Sequence, residues 1–136
     1  MATSTKTFSG SSSLNSFYSN LNSAVNYGNS ISGAMKISSA VFSAFGLLGN
    51  AAVAYTLSSG SSLLGNYYST ICLAGINAIR VVDDFRNGLL NGSYTDVVMQ
   101  VNYDYGYDSS NRAFAVLKSV KCIRARKPNG TWIEIA

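Results

Sequence analysis

Apolar residues recur at two distinct periods along the chain, and the change between them divides it into a helical and a β part. Leu14, Phe17, Leu21 and Val25, with Tyr18 and Ala24 beside them, follow the three-and-four spacing of an amphipathic helix. Ser11 to Ser13 carry hydroxyls suited to cap its first amides, and Gly28, within Asn26-Tyr27-Gly28-Asn29, suits its end. A second, continuous helix is predicted over 31–57, with Lys36 its only charge. Its residues sort by size around the axis. Ser32, Lys36, Ser39, Ser43, Gly46 and Asn50 fall on one face, and Ile37, Val41, Phe45, Leu48, Ala52 and Tyr55 on the other. The small residues Ser39, Ser43, Gly46 and Asn50 form a stripe against which another backbone can pack closely. Ser58-Ser59-Gly60-Ser61-Ser62 reads as a turn, with Ser61 or Ser62 capping a third helix over 63–90. Leu64, Tyr68, Ile71, Gly75, Ala78, Val82 and Phe85 make its apolar face, and Arg80, Asp83 and Arg86 are spaced for weak surface ion pairs. Asn87-Gly88 and Asn91-Gly92 terminate the helical part.

Beyond Gly92 the pattern alternates. Val97, Met99, Val101, Tyr103, Tyr105 and Tyr107 share one face of a strand, opposite Val98, Gln100, Asn102, Asp104 and Gly106. The turn cluster Asp108-Ser109-Ser110-Asn111 leads to a second strand from about Arg112 to Arg126, and Lys127-Pro128-Asn129-Gly130 leads to a third over 131–135. Pairing Tyr107 with Arg112 across a four-residue loop puts Tyr105 opposite Phe114, Tyr103 opposite Val116, Met99 opposite Val120 and Val97 opposite Cys122. Lys118 is the exception to this apolar face and is expected to snorkel at an edge or sit in a bulge. For the last turn, Pro128 and Asn129 at the centre of a type I turn, with Gly130 left-handed, pair Arg126 with Trp132, Ala125 with Ile133 and Arg124 with Glu134. That register makes one face apolar and offers a cation–π contact and an ion pair on the other. It also shifts the buried parity along the second strand, so a bulge, a sharp twist or two-sided cover is required near Lys121 and Cys122.

The expected fold is therefore α+β: three N-terminal helices packed on a C-terminal three-stranded antiparallel meander. The 136 residues suit one domain, with a flexible arm at 1–11, a helical part at 12–92 and a β part at 95–136. Composition adds one feature to this picture. Charged residues make up 12% of the chain, about half the usual share of roughly 25%. Ser, Asn, Gly and Tyr must supply the polar surface, which favours burial against a partner, a bilayer or another copy. Lys118, Lys121, Arg124, Arg126 and Lys127 crowd together within a net charge of +4. They suit phosphates or an anionic membrane surface, or else guard a strand edge.

Candidate chemistry is sparse. With no histidine and no Cys-x-x-Cys spacing, the usual zinc ligand set is missing, as are Ser-His and Cys-His nucleophile pairs. Cys72 and Cys122 lie far apart in sequence, and their spacing does not decide between a disulfide and two buried thiols. Asp83 and Asp84 diverge on a helix, while Asp104 and Asp108 offer too few oxygens for calcium. Gly46-Leu47-Leu48-Gly49-Asn50 lacks the Lys-Ser/Thr of a phosphate loop. Tyr103, Tyr105 and Tyr107 can stack bases, but the ribonucleoprotein pattern is absent, and such a row is expected to face the helices. We therefore expect no catalytic residues, cofactor or metal, and nucleic acid as a minor prospect. The start of the chain lacks an apolar signal-peptide core.

Two functions follow as expectations. The first is a non-enzymatic structural protein that assembles with itself. The second is a membrane-active, bacteriocin-like or pore-forming protein, with 31–57 and 63–90 as an inserting hairpin and the basic sheet on anionic headgroups. Arg80, Asp83, Asp84 and Arg86 burden the second arm of that hairpin and tilt the reading toward assembly.

Overall fold

The residues ahead of the first helix form a strand rather than a flexible arm. In the computed structural model, which describes residues 1–136, β1 (Ala2–Ser9) lies antiparallel to β2 (Asp96–Tyr107) along its whole length. Thr3, Thr5 and Thr7 alternate with Ser4, Lys6 and Phe8, and Phe8 alone is fully buried. Threonine suits a pleated strand, and one buried aromatic ring fixes which face turns inward. Between β1 and β2 come α1 (Ser11–Val25), α2 (Ile31–Ala44), α3 (Ala51–Leu63) and α4 (Tyr68–Leu90). After β2 follow β3 (Ala113–Arg126) and the three-residue β4 (Trp132–Glu134). The fold is α+β as expected, with four helices and a four-stranded antiparallel sheet in the order β1-β2-β3-β4.

The continuous helix expected over 31–57 is two helices. Phe45 to Asn50 break it: the Gly46 amide donates to the Ser43 carbonyl, the Leu47 amide to that of Phe42, and Gly46 takes a left-handed φ of 69°. Asn50, which the helical reading placed mid-helix, instead caps α3 by accepting the Val53 amide at 3.1 Å. Ser58 to Ser62, expected as a turn, complete α3, with the Ser58 and Ser62 hydroxyls bonded back to Tyr55 and Ser59 carbonyls. Neither Ser61 nor Ser62 caps the following helix, which begins at Tyr68 rather than Leu63. The segment expected as one helix over 31–57 is thus shared between two, and no helix is long and apolar enough to cross a membrane.

The β2–β3 register differs from expectation along its whole length, and the β3–β4 register meets it. Tyr107 pairs with Ala113, Tyr105 with Ala115, Tyr103 with Leu117, Met99 with Cys122 and Val97 with Ala125. The expected Tyr103–Val116 pairing is wrong by one residue because the first hairpin is closed by Asp108 and Arg112. Its turn hydrogen bond runs from the Asn111 amide to Asp108, and Asn111 takes φ 60°. A type I turn with a left-handed third residue is thus used without glycine. The last turn has the expected geometry: Gly130 takes φ 89°, its amide donates to Lys127 at 2.9 Å, and Arg124, Ala125 and Arg126 pair with Glu134, Ile133 and Trp132. Lys118 is left unpaired between Leu117 and Ser119, and Ile123 between Cys122 and Arg124, so β3 bulges at both expected places.

Helices and sheet share one apolar cluster. The Phe8, Phe17 and Phe45 rings meet at centroid separations of 6.0–6.5 Å, tying β1 to the helices. Phe42 packs edge-on against Tyr103 at 5.4 Å. Cys72 and Cys122 are both buried and free, and burial pushes the Cys122 thiol up to about 11.

Candidate interaction surface

The outer sheet face can be assigned from the pairing. Phe8, Val97, Met99 and Ala125 point into the core, so Thr3, Thr5 and Thr7 of β1 share the opposite face with Val98, Gln100, Asn102, Lys121 and Arg124. This face also carries Asp96 beside Ser9 and Arg126. Hydrogen bonds from the Ser9 and Thr95 hydroxyls hold the Asp96 carboxyl below the usual carboxylate range.

The five clustered cations are all exposed along β3 and its following turn, but acids offset three of them. Lys118 lies 3.8 Å from Asp104, Arg124 3.6 Å from Glu134, and Arg126 3.9 Å from Asp96. Lys121 and Lys127 have no acidic partner within 4 Å. Asp96 and Asp104 come from β2, distant in sequence from the basic run, and Glu134 comes from β4 across the last turn. Arg126 makes its ion pair rather than the expected cation–π contact with Trp132.

The small-residue stripe is divided by the helix break. Ser39 and Ser43 remain on α2, where they line a shallow groove with Asn20, Ser23, Tyr27 and Lys36. Gly46 lies in the connecting turn and Asn50 caps α3. The tyrosine row is also split: Tyr103 is buried against Phe42, whereas Tyr105 and Tyr107 are 44% and 61% exposed. A row wholly facing the helices is therefore corrected to one buried member. The sheet bends at its bulges, and Phe114 to Leu117 are buried in succession on both faces.

The surface that sequence reading missed is the free edge of β1. The hydrogen-bond phase follows from two bonds, Gly10 amide to Thr95 carbonyl at 3.2 Å and Lys127 amide to Thr131 carbonyl at 2.8 Å. Alternation from these points assigns Phe8, Lys6, Ser4 and Ala2 to bonding with β2. The amides and carbonyls of Thr3, Thr5 and Thr7 consequently point away from the sheet, with no further strand beside them. Elsewhere the edges are shorter or covered. β4 has three residues, and α3 covers β3 where the Thr56 hydroxyl accepts the Ala115 amide at 2.7 Å. The signal for β1 was present as Thr-x-Thr-x-Thr-Phe, an alternation anchored by a single apolar residue.

No three His, Cys, Asp or Glu side chains gather as a metal-holding group. Comparison with protein-family models, curated proteins and solved structures finds no match for this chain.

Proposed function

We propose that this chain is a non-enzymatic structural protein that assembles with copies of itself through the edge of β1. The observation that carries the reading is the row of unpaired amides and carbonyls at Thr3, Thr5 and Thr7 on an eight-residue strand. Such an edge is a template for another strand, and natural proteins usually blunt it with proline, bulges, charge or a very short length. β1 has neither proline nor bulge, and Lys6 is its one charge.

The edge is also self-complementary. Two antiparallel copies related by a two-fold axis at Thr5 pair Thr5 with Thr5, Thr3 with Thr7 and Ser4 with Lys6. β-branched neighbours then stack on the outer face, and the sheets join into one of eight strands. An axis at Lys6 would instead oppose two like charges. Low overall charge lessens repulsion between copies, while Lys121 remains as a solvating cation on the joined face.

Proline substitution separates the two edges of β1. In Thr5→Pro the lost amide points outward, a position where an edge strand tolerates proline. In Lys6→Pro the lost amide serves β2. Sedimentation velocity should show wild-type dimers or larger species, a folded Thr5→Pro monomer, and a destabilised Lys6→Pro chain. A wild-type monomer at all concentrations, or a Thr5→Pro chain that assembles like wild type, overturns the reading.

A further inference from the structure

We infer that the cleft between the α3–α4 connection and the β2–β3 hairpin binds a neutral saccharide. The cleft has a volume of about 410 Å³, within the roughly 300–1,000 Å³ of small-molecule sites. Aromatic rings and polar groups alternate around it. Tyr67 meets Phe114 edge-on at 5.6 Å, and Tyr107 stands exposed at the mouth. Phe114 lies directly across Gly106, where any Cβ would collide with the ring, so its orientation is fixed by the opposite strand.

The polar side of the cleft is prearranged. Asp108 Oδ1 accepts the Ser110 and Arg112 amides, each at 2.9 Å, while Oδ2 accepts the Tyr55 hydroxyl. A carboxylate has about four lone-pair positions, so an acceptor remains at Oδ2, and the Tyr55 oxygen keeps lone pairs of its own. Asn66 adds an amide able to donate and accept. The cleft therefore offers hydroxyl-binding acceptors beside ring faces that pack on C–H groups, the two demands of a sugar ring.

Charge narrows the class. Asp108 is the one charged lining residue, and the Arg112 guanidinium lies 3.8 Å from the Tyr55 ring centroid, close enough to offset it. An anion would meet the carboxylate. An organic cation would meet the Arg112 guanidinium that stands over the Tyr55 ring. A purely apolar ligand would strand the hydroxyls and the carboxylate. A neutral polyol with apolar C–H faces meets none of these objections. No lining residue belongs to β1, so the inference stands apart from assembly.

Amide chemical shifts of the full chain would be followed during separate titrations with soluble oligomers of glucose, N-acetylglucosamine, mannose and galactose, and with choline chloride. At least one sugar series should move the amides of Asn66, Tyr67, Ser109 and Ser110 saturably in the millimolar range or below. Tyr107→Ala, which removes an exposed ring, should weaken that binding about tenfold, the worth of one aromatic stack. Tyr67→Ala should do the same, but Tyr107→Ala decides the matter if loss of Tyr67 disturbs the fold. Absence of saturable shifts with all four sugars, equal saturable shifts with choline, or undiminished binding by Tyr107→Ala would overturn the inference.

Discussion

The Thr56 hydroxyl joins a helix to the side of a strand. It accepts the Ala115 amide and lies 3.0 Å from both the Ala52 and Ala115 carbonyls, in a fully buried position. Thr56→Val keeps the shape and strands the Ala115 amide, so urea unfolding should register a loss of about 1–3 kcal/mol. Asp108 gives a pH signature at the same scale. The Tyr55 hydroxyl bond, then the Arg112 and Ser110 amides, hold its carboxyl below the ordinary value, and the Asp108 bond in turn raises Tyr55. A depressed carboxyl stabilises the fold above its unfolded value of about 4, and the benefit is lost as pH falls through the lower folded value. Tyr55 runs oppositely: its contribution is present below about pH 10 and is lost as pH rises through the raised value. Urea midpoints measured from neutral to acid pH should fall more steeply for wild type than for Asp108→Asn. Parallel profiles would show that Asp108 ionises alike in the folded and unfolded chain.

At the scale of elements, apolar period identified the first helix, the core of the last one and the two long strands. Turn chemistry identified the final hairpin, because Pro128 and Gly130 each fit only one place in it. The first hairpin was harder to read because Asn111, rather than glycine, takes its left-handed position. The α2–α3 break was illegible for a related reason. Phe42 and Phe45, three residues apart, are both buried in the core and mimic a continuing helix, while Gly46 reverses the backbone and leaves Leu48, on the expected apolar face, 53% exposed. Gly46→Ala should therefore cost about 1–2 kcal/mol for a left-handed non-glycine residue. Gly49→Ala, at ordinary φ and in open space, should be close to neutral. Thermal unfolding of the two variants checks this contrast, and equal effects would place the strain elsewhere.

For the whole molecule, the interaction surface was less legible than the fold. The basic run is visible in sequence, but its neutralising acids arrive from other strands, and the edge exists only once β1 is known to pair with β2. A Ser/Thr/Gly-rich start resembles a flexible arm unless the alternation about Phe8 is given weight. That ring seals β1 to Phe17 and Phe45, so Phe8→Ala should cost about 3–5 kcal/mol in chemical denaturation and loosen the strand. Assembly should then weaken with it. The most direct measurement is symmetric cross-linking along β1, since the native thiols are both buried. With the axis at Thr5, a Thr5→Cys chain should form a disulfide dimer alone under mild oxidation. Thr3→Cys and Thr7→Cys should cross-link only when mixed, because each faces the other across the axis. Exclusively monomeric products from Thr5→Cys, or mixed chains that fail to join, would contradict assembly through this edge.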